Sequence, residues 1–226
     1  MAQQVLTPPP AVRRPSRTIR YAVLVTVVVL GIAAAVVALL ALRRTGEEPI
    51  ASATLRLADG RSIGRVDFFD APPGTKVRVQ VDLPPGIGGR AAFHGFHLHA
   101  NDDAINGNGC LGRATEPSKT WFTSADAHLD HAGHKHSDHG GDMPSVYVTN
   151  DGHGYLEFGT DRLSIADLTD RAVMLHAGPD NFGRVPVGNT PTDYTPNSPE
   201  AIKATQTGGN SGDRIACGLV GAPVTD

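Results

Sequence analysis

Hydrophobic and polar positions alternate most cleanly at Val77, Val79 and Val81, which are interleaved with Arg78, Gln80 and Asp82. A period of two puts the valines on one face and the polar side chains on the other, the pattern of a half-buried strand. Similar runs occur at Ala53 to Leu57, Ser62 to Phe69, Phe93 to His99, Ser145 to Thr149, Tyr155 to Phe158, Ala172 to His176 and Ile215 to Val220. Breakers separate them: Asp59-Gly60-Arg61, Ala71-Pro72-Pro73-Gly74, Leu83-Pro84-Pro85-Gly86 and Asn150-Asp151-Gly152. Ser164 to Leu168 is expected to form one helical turn. Asn101 to Met143 and Gly178 to Asp213 have almost no periodicity and are expected as two long polar loops. The pattern predicts an all-β Greek-key sandwich or barrel of about eight strands, and a barrel leaves no exposed edge.

The N-terminal part breaks this pattern. Tyr21 to Leu42 is a run of 22 residues without a charge, with Tyr21 and Thr26 as its polar exceptions. About 20 apolar residues suffice to cross a bilayer as a helix. Arg13, Arg14, Arg17 and Arg20 precede the run, and Arg43 and Arg44 follow it, ahead of Glu47 and Glu48. The larger cationic flank stays inside, so the residues after the run face outward. The alternative is a cleaved signal peptide, but the core is longer than such a peptide's and ends in Leu42-Arg43-Arg44 rather than at a small-residue site, and on either reading the domain is exported. The expected division is a disordered cytoplasmic tail over 1–20, a membrane-spanning signal anchor over 21–42, a linker over 43–50 and one domain over 51–226. That places the domain at the cell membrane, single-pass, on the extracytoplasmic side.

Composition agrees with this reading. The 26 Gly and 17 Pro, with 5% aromatic residues, suit short strands joined by loops rather than a helix bundle. The first 44 residues carry six Arg and no acid. The remainder holds 14 of the 20 basic residues against 23 acidic ones, a balance of −9. An acidic domain of this kind excludes nonspecific binding of nucleic acid or anionic lipid, and an anionic small substrate needs a local positive focus. Two cysteines, Cys110 and Cys217, read in an oxidising compartment as one disulfide closing a loop of about 100 residues, the alternative being two buried thiols.

The candidate chemistry is in the histidines. In Phe93-His94-Gly95-Phe96-His97-Leu98-His99, alternation projects His97 and His99 from one face of a strand and Phe96 and Leu98 from the other. Two imidazoles about 7 Å apart along a strand can converge on one ion. His128, His136, His139, Asp142 and His176 recur downstream. His94 shares the face of Phe96 and Leu98 and reads as structural.

Taken in order, His94-Gly95-Phe96-His97-Leu98-His99, Gly109-Cys110, Ser124-Ala125-Asp126-Ala127-His128, Gly141-Asp142-Met143-Pro144, His176-Ala177-Gly178-Pro179-Asp180-Asn181 and Gly209-Asn210-Ser211-Gly212-Asp213-Arg214-Ile215-Ala216-Cys217-Gly218 resemble the copper/zinc superoxide dismutases over residues 51–221. The resemblance implies an eight-stranded Greek-key β-barrel with two long loops. It implies copper held by His97, His99, His128 and His176, and zinc held by His128, His136, His139 and Asp142, with His128 shared. The aspartate that bonds one copper and one zinc histidine corresponds to Asp180, and the arginine that docks superoxide corresponds to Arg214. Arg214 and His128 are the implied catalytic residues, superoxide the implied substrate, and a homodimer the common assembly. His131 and His134 are extra to the scheme and read as exposed loop histidines or as transient metal-capture residues. Lys203 reads as a solvated loop lysine. The segment Ala125-Asp126-Ala127-His128 departs from the family, whose members usually carry glycines before this histidine. Two competing readings are a non-enzymatic copper or zinc module on the same fold, acting as chaperone or store, and a purely structural adhesion domain.

Overall fold

The computed structural model describes residues 21, 26, 28–36, 47–181 and 199–223. The chain divides into two compact units, 1–47 and 48–226. In the first, residues 21, 26 and 28–36 are helical. Among the described residues no helix is long and apolar enough to cross a membrane. The expected tail over 1–20, the linker residues 43–46 and the remaining positions of the 21–42 run lie outside the described residues.

The second unit is a closed, wholly antiparallel barrel of eight strands: β1 (Ala51–Arg56), β2 (Ser62–Ala71), β3 (Gly74–Asp82), β4 (Ala92–His99), β5 (Asp142–Val148), β6 (His153–Thr160), β7 (Ala172–His176) and β8 (Arg214–Leu219). The order around the wall is β1-β2-β3-β6-β5-β4-β7-β8, with β8 closing on β1 at Arg56 and Cys217. The neighbours β3–β6 and β4–β7 are the Greek-key crossovers, and closure satisfies every strand edge. Leu55, Val66, Phe68, Val77, Val79, Phe96, Leu98, Val146, Val148, Val173 and Leu175 fill the interior, each with at most traces of exposed surface. The alternation of β3 is borne out residue by residue, with its valines inside and Arg78 outside, paired to Glu157 of β6.

β7 is buried on both faces. Val173 and Leu175 point into the barrel, while Ala172 and Met174 point outward beneath Phe122, Ala125 and Cys217, a second small core that the long 100–141 loop folds over the wall. Three short 3-10 turns (Ala104–Asn106, Ser118–Thr120, Thr123–Ala125) give that loop its path, and Cys110 is joined to Cys217 with a Cα–Cα separation of 5.5 Å.

Two expectations need correction. The first long loop ends earlier, because β5 begins at Asp142 rather than Ser145. The second loop is not loop throughout, since Pro199–Gly208 is an α-helix. Its buried residues are the small Ala201 and Thr205, four apart on one face, so no large-hydrophobe period announces it. The expected turn at Ser164 to Leu168 is a 3-10 turn at Ile165–Asp167, capped reciprocally by Ser164 and Asp167.

The bridge between Cys110 and Cys217 spans 107 residues of sequence. On the chain-entropy argument its removal should lower the unfolding free energy by about 4–5 kcal/mol. Denaturant unfolding of a Cys110→Ser chain beside the oxidised chain measures this, and equal midpoints would contradict it.

Candidate metal centre

β4 carries the first two site residues. Its inward Phe96 and Leu98 fix the outward direction of His97 and His99, all of them buried. A bulge at Gly95 shifts the register against β5, and the Gly95 amide donates instead to the Gly178 carbonyl at 2.8 Å. A Cβ at Gly95 would stand 2.6 Å from the Ser211 Cβ, so the bare glycine is what lets the 209–212 segment close over this part of the wall. His176 ends β7 opposite Arg214. His128 is set by a three-way backbone stitch, in which Leu129 donates to Leu98, Leu98 to Gly141 and Gly141 to Leu129, each at 2.8 Å. The same stitch places Asp142 beside it.

Each strand imidazole has one nitrogen engaged and the other bare. His97 Nε2 donates to Asp180 Oδ2 at 2.8 Å, His99 Nδ1 to the Asp126 carbonyl at 2.8 Å, and His176 Nδ1 to the Gly212 carbonyl at 3.0 Å. That leaves His97 Nδ1, His99 Nε2 and His176 Nε2 buried without a partner. Together with His128 they form a group whose ligand atoms all lie within 4.8 Å of one another. Three orphaned lone pairs in a buried pocket are costly unless an electrophile sits among them, and neutral imidazoles suit a borderline transition metal. Burial holds all four histidines below the usual imidazole range, His128 at about 4, so they are neutral at pH 7.

The second group gathers around one carboxylate. Nδ1 atoms of His128, His136 and His139 stand 2.7, 3.0 and 3.3 Å from Asp142 Oδ1. These separations approach the ligand–ligand edges of a tetrahedral zinc site with bonds of about 2.0–2.1 Å. His97, His128, His136 and Asp142 are the four whose atoms fall mutually within 4.8 Å. The bare His97 Nδ1 already belongs to the first group, however, whereas His139 has its Nδ1 turned to Asp142. His139 is therefore the better fourth member on chemical grounds.

Asp180 links the two groups, with Oδ1 at 2.6 Å from His136 Nε2 and Oδ2 on His97, its side chain fully buried. Gly209, at φ +63°, covers this pair. A Cβ there would lie 1.8 Å from Asp180 Oδ1, and only glycine avoids it. His136 faces a carboxylate at both nitrogens. Burial works against its charged form, but the hydrogen bonds and charges of Asp142 and Asp180 prevail and raise it to about 9. Asp142 is held well below the usual carboxylate range by His128 and His136 in spite of its own burial.

Arg214 reaches over the first group. Its Nη1 donates to the Phe122 carbonyl and its Nη2 to the Asp126 carbonyl, each at 2.5 Å. Burial lowers its pKa, yet a guanidinium remains a cation. It opens on a cleft of about 540 Å³ lined by His99, His128, His176, Glu200 and Lys203 among others. Lys203, expected as a loop lysine, thus lies at the mouth on the helix that the sequence pattern did not reveal. His131 pairs with Asp167 and His134 with Asp130, both histidines well exposed and outside either group. His94 has Nδ1 and Nε2 each 2.7 Å from a carbonyl, those of His176 and Gly89, a structural placement. Sequence reasoning missed the carbonyls of Phe122, Asp126 and Gly212, since backbone acceptors carry no residue signature.

The described sequence model of the copper/zinc superoxide dismutases (SODC) matches residues 62–220. A superoxide dismutase (Cu-Zn) of Deinococcus radiodurans is 33% identical over 155 residues, covering 63% of this chain and 80% of that one. The corresponding protein of Legionella pneumophila is 30% identical over 177 residues, covering 78% and 82%, and that of Mycolicibacterium paratuberculosis 30% over 190 residues, covering 77% and 75%. Among solved structures, a mutant of a SOD-like protein from Bacillus subtilis superposes with a TM-score of 0.51 at 19% identity, over 74% of this chain and 95% of that one, a likeness of fold.

The two groups should respond differently to pH. His136 must surrender a proton held up to about pH 9 before it can bind an ion, whereas the histidines of the first group are already neutral. Zn(II) affinity of the metal-free protein at the Asp142 group should therefore rise about tenfold per pH unit between pH 6 and 8, and Cu(II) affinity at the first group should stay nearly flat. Chelator competition at several pH values measures both.

Proposed function

Because the chain belongs to the copper/zinc superoxide dismutase family, we propose that it converts two superoxide anions and two protons to oxygen and hydrogen peroxide. The observation that carries the reading is the set of buried, partnerless nitrogens on His97, His99 and His176 beside the Arg214 guanidinium. His97, His99, His128 and His176 would hold copper, and His128, His136, His139 and Asp142 zinc. Copper, when bound, supplies a one-electron couple that accepts an electron from one superoxide and returns it to another.

The remaining work falls to the chain. Arg214 docks the anion, its two carbonyl bonds fixing the guanidinium so that the remaining N–H groups face the cleft. His128 turns Nε2 toward the cleft side, where a Cβ on Gly208 would be 3.4 Å away, and that nitrogen is placed to hold a proton and release it to the departing peroxide. Asp180 engages Nε2 of both His97 and His136, so the Nδ1 of each ring is directed at its own group, that of His136 at Asp142. The anion is excluded from neither group by charge, because the carboxylates of Asp142 and Asp180 are each engaged by histidine.

Metal analysis with superoxide-decay kinetics tests the assignment. One copper and one zinc per chain are expected, with His176→Ala losing copper and activity and Arg214→Leu keeping both metals while its rate constant falls about 10–100-fold. Metal bound without superoxide removal would instead favour a chaperone or store.

The charge-flanked run over 21–42 extends the proposal to location: a single-pass anchor that presents the domain on the extracytoplasmic side. The full chain should stay with membranes through an alkaline carbonate wash, and a protease added outside the cell should cleave it only when the anchor orients as proposed.

A further inference from the structure

Asp126 adopts φ 64°, ψ −158°, a region in which any Cβ is strained and glycine alone is at ease. An aspartate survives there because its carboxylate is fully used. Oδ2 accepts from the backbone amides of Asp102 at 2.7 Å and Asp103 at 2.9 Å, and Oδ1 accepts from the Asn106 side-chain amide. The turn so gripped is itself tied to the wall. Asn101 donates to the Asp170 carbonyl, and Arg171 donates to the Ala100 carbonyl and the Asp102 carboxylate. Asp126 is thereby held from the base of β7, the strand that ends in His176.

The backbone oxygen of the same residue accepts two bonds that matter to the site, from His99 Nδ1 at 2.8 Å and from Arg214 Nη2 at 2.5 Å. One carbonyl therefore sets both a metal-facing ring and the anion-docking cation. We propose that Asp126 is a positioning residue for anion binding: its carboxylate, anchored on the Asp102–Asn106 turn, fixes the direction of its own carbonyl, which in turn fixes His99 and Arg214. The backbone bonds of Ala100 to the Ala127 carbonyl, Asn101 to the Ala125 carbonyl and Asp126 to the Thr123 carbonyl hold the segment, and the carboxylate adds the tie to the Asp102–Asn106 turn. Its charge works the other way, since a negative group beside Arg214 by itself disfavours an anion.

The inference rests on the copper reading above, and its test separates the two. Azide, a small anion, is titrated into the full copper- and zinc-loaded chain and followed by the visible and paramagnetic spectra of Cu(II), which need no turnover. Asp126→Gly relieves the backbone and removes the anchor, so it folds, but its azide dissociation constant should rise about 5–10-fold, with altered Cu(II) parameters reporting His99. Asp126→Asn keeps an oxygen acceptor for the two backbone amides and should stay within about twofold of the parent. Unchanged azide affinity in Asp126→Gly overturns the role. Tighter azide binding in both variants also overturns it, because the carboxylate would then act through charge alone. A chain that takes up no copper overturns the functional reading and this role with it.

Discussion

A buried imidazole can satisfy one nitrogen and keep the other bare only when the satisfied side has a fixed acceptor, and that constraint orders the whole site. His97 leans on Asp180, His99 on the Asp126 carbonyl and His176 on the Gly212 carbonyl. The acceptors come from both long loops, Asp126 from the first and Asp180 and Gly212 from the second, so the bare nitrogens converge only if both are in place on the wall. The barrel contributes direction, through Phe96 and Leu98 anchored inside it. The loops contribute the tautomers.

This explains why so much structure is spent on holding loops. The first is pinned by the Cys110–Cys217 bridge and by Phe122 and Ala125 packed on the outer face of β7 and β8, and that packing also delivers the Phe122 carbonyl to Arg214. The second is pinned through its helix, where Gln206 accepts from the His136 amide and Thr205 meets the Asn181 side chain. The C-terminal end of that helix, at Gly208 and Gly209, then lies against His128, His136 and Asp180. A residue that serves the Asp142 group thus also fixes the helix whose Glu200 and Lys203 stand at the mouth of the cleft.

The strands and most of the site were legible in the sequence because both have a period or a motif. The alternation of β3 and of His97 and His99 follows from the pleat, and the same residues that carry the family resemblance are those the structure gathers around the two groups. What was illegible had no side-chain signal. The helix Pro199–Gly208 buries Ala201 and Thr205, too small to mark a face. The carbonyls that hold His99, His176 and Arg214 belong to residues chosen for backbone path. Asp126 was visible only as a departure from pattern, and its meaning required the positive φ and the three bonds of its carboxylate.

Charge sets the last requirement. A domain with a balance of −9 repels a diffusing anion on average, so attraction has to be local and poorly screened. Among the described residues, Lys203 and Arg214 are the cationic residues lining the cleft, and Glu200 on the same helix offsets the first of them. Arg214 is the better placed of the two, because it is largely buried and its field is not dissipated by solvent. On the far side of His128 and His97 stand the carboxylates of Asp142 and Asp180, which would oppose an anion if left bare. Their histidine partners, and a zinc ion in the Asp142 group, offset that charge. In this arrangement the second metal group matters to anion binding through electrostatics as well as through the loop it holds, and the two contributions share the same residues.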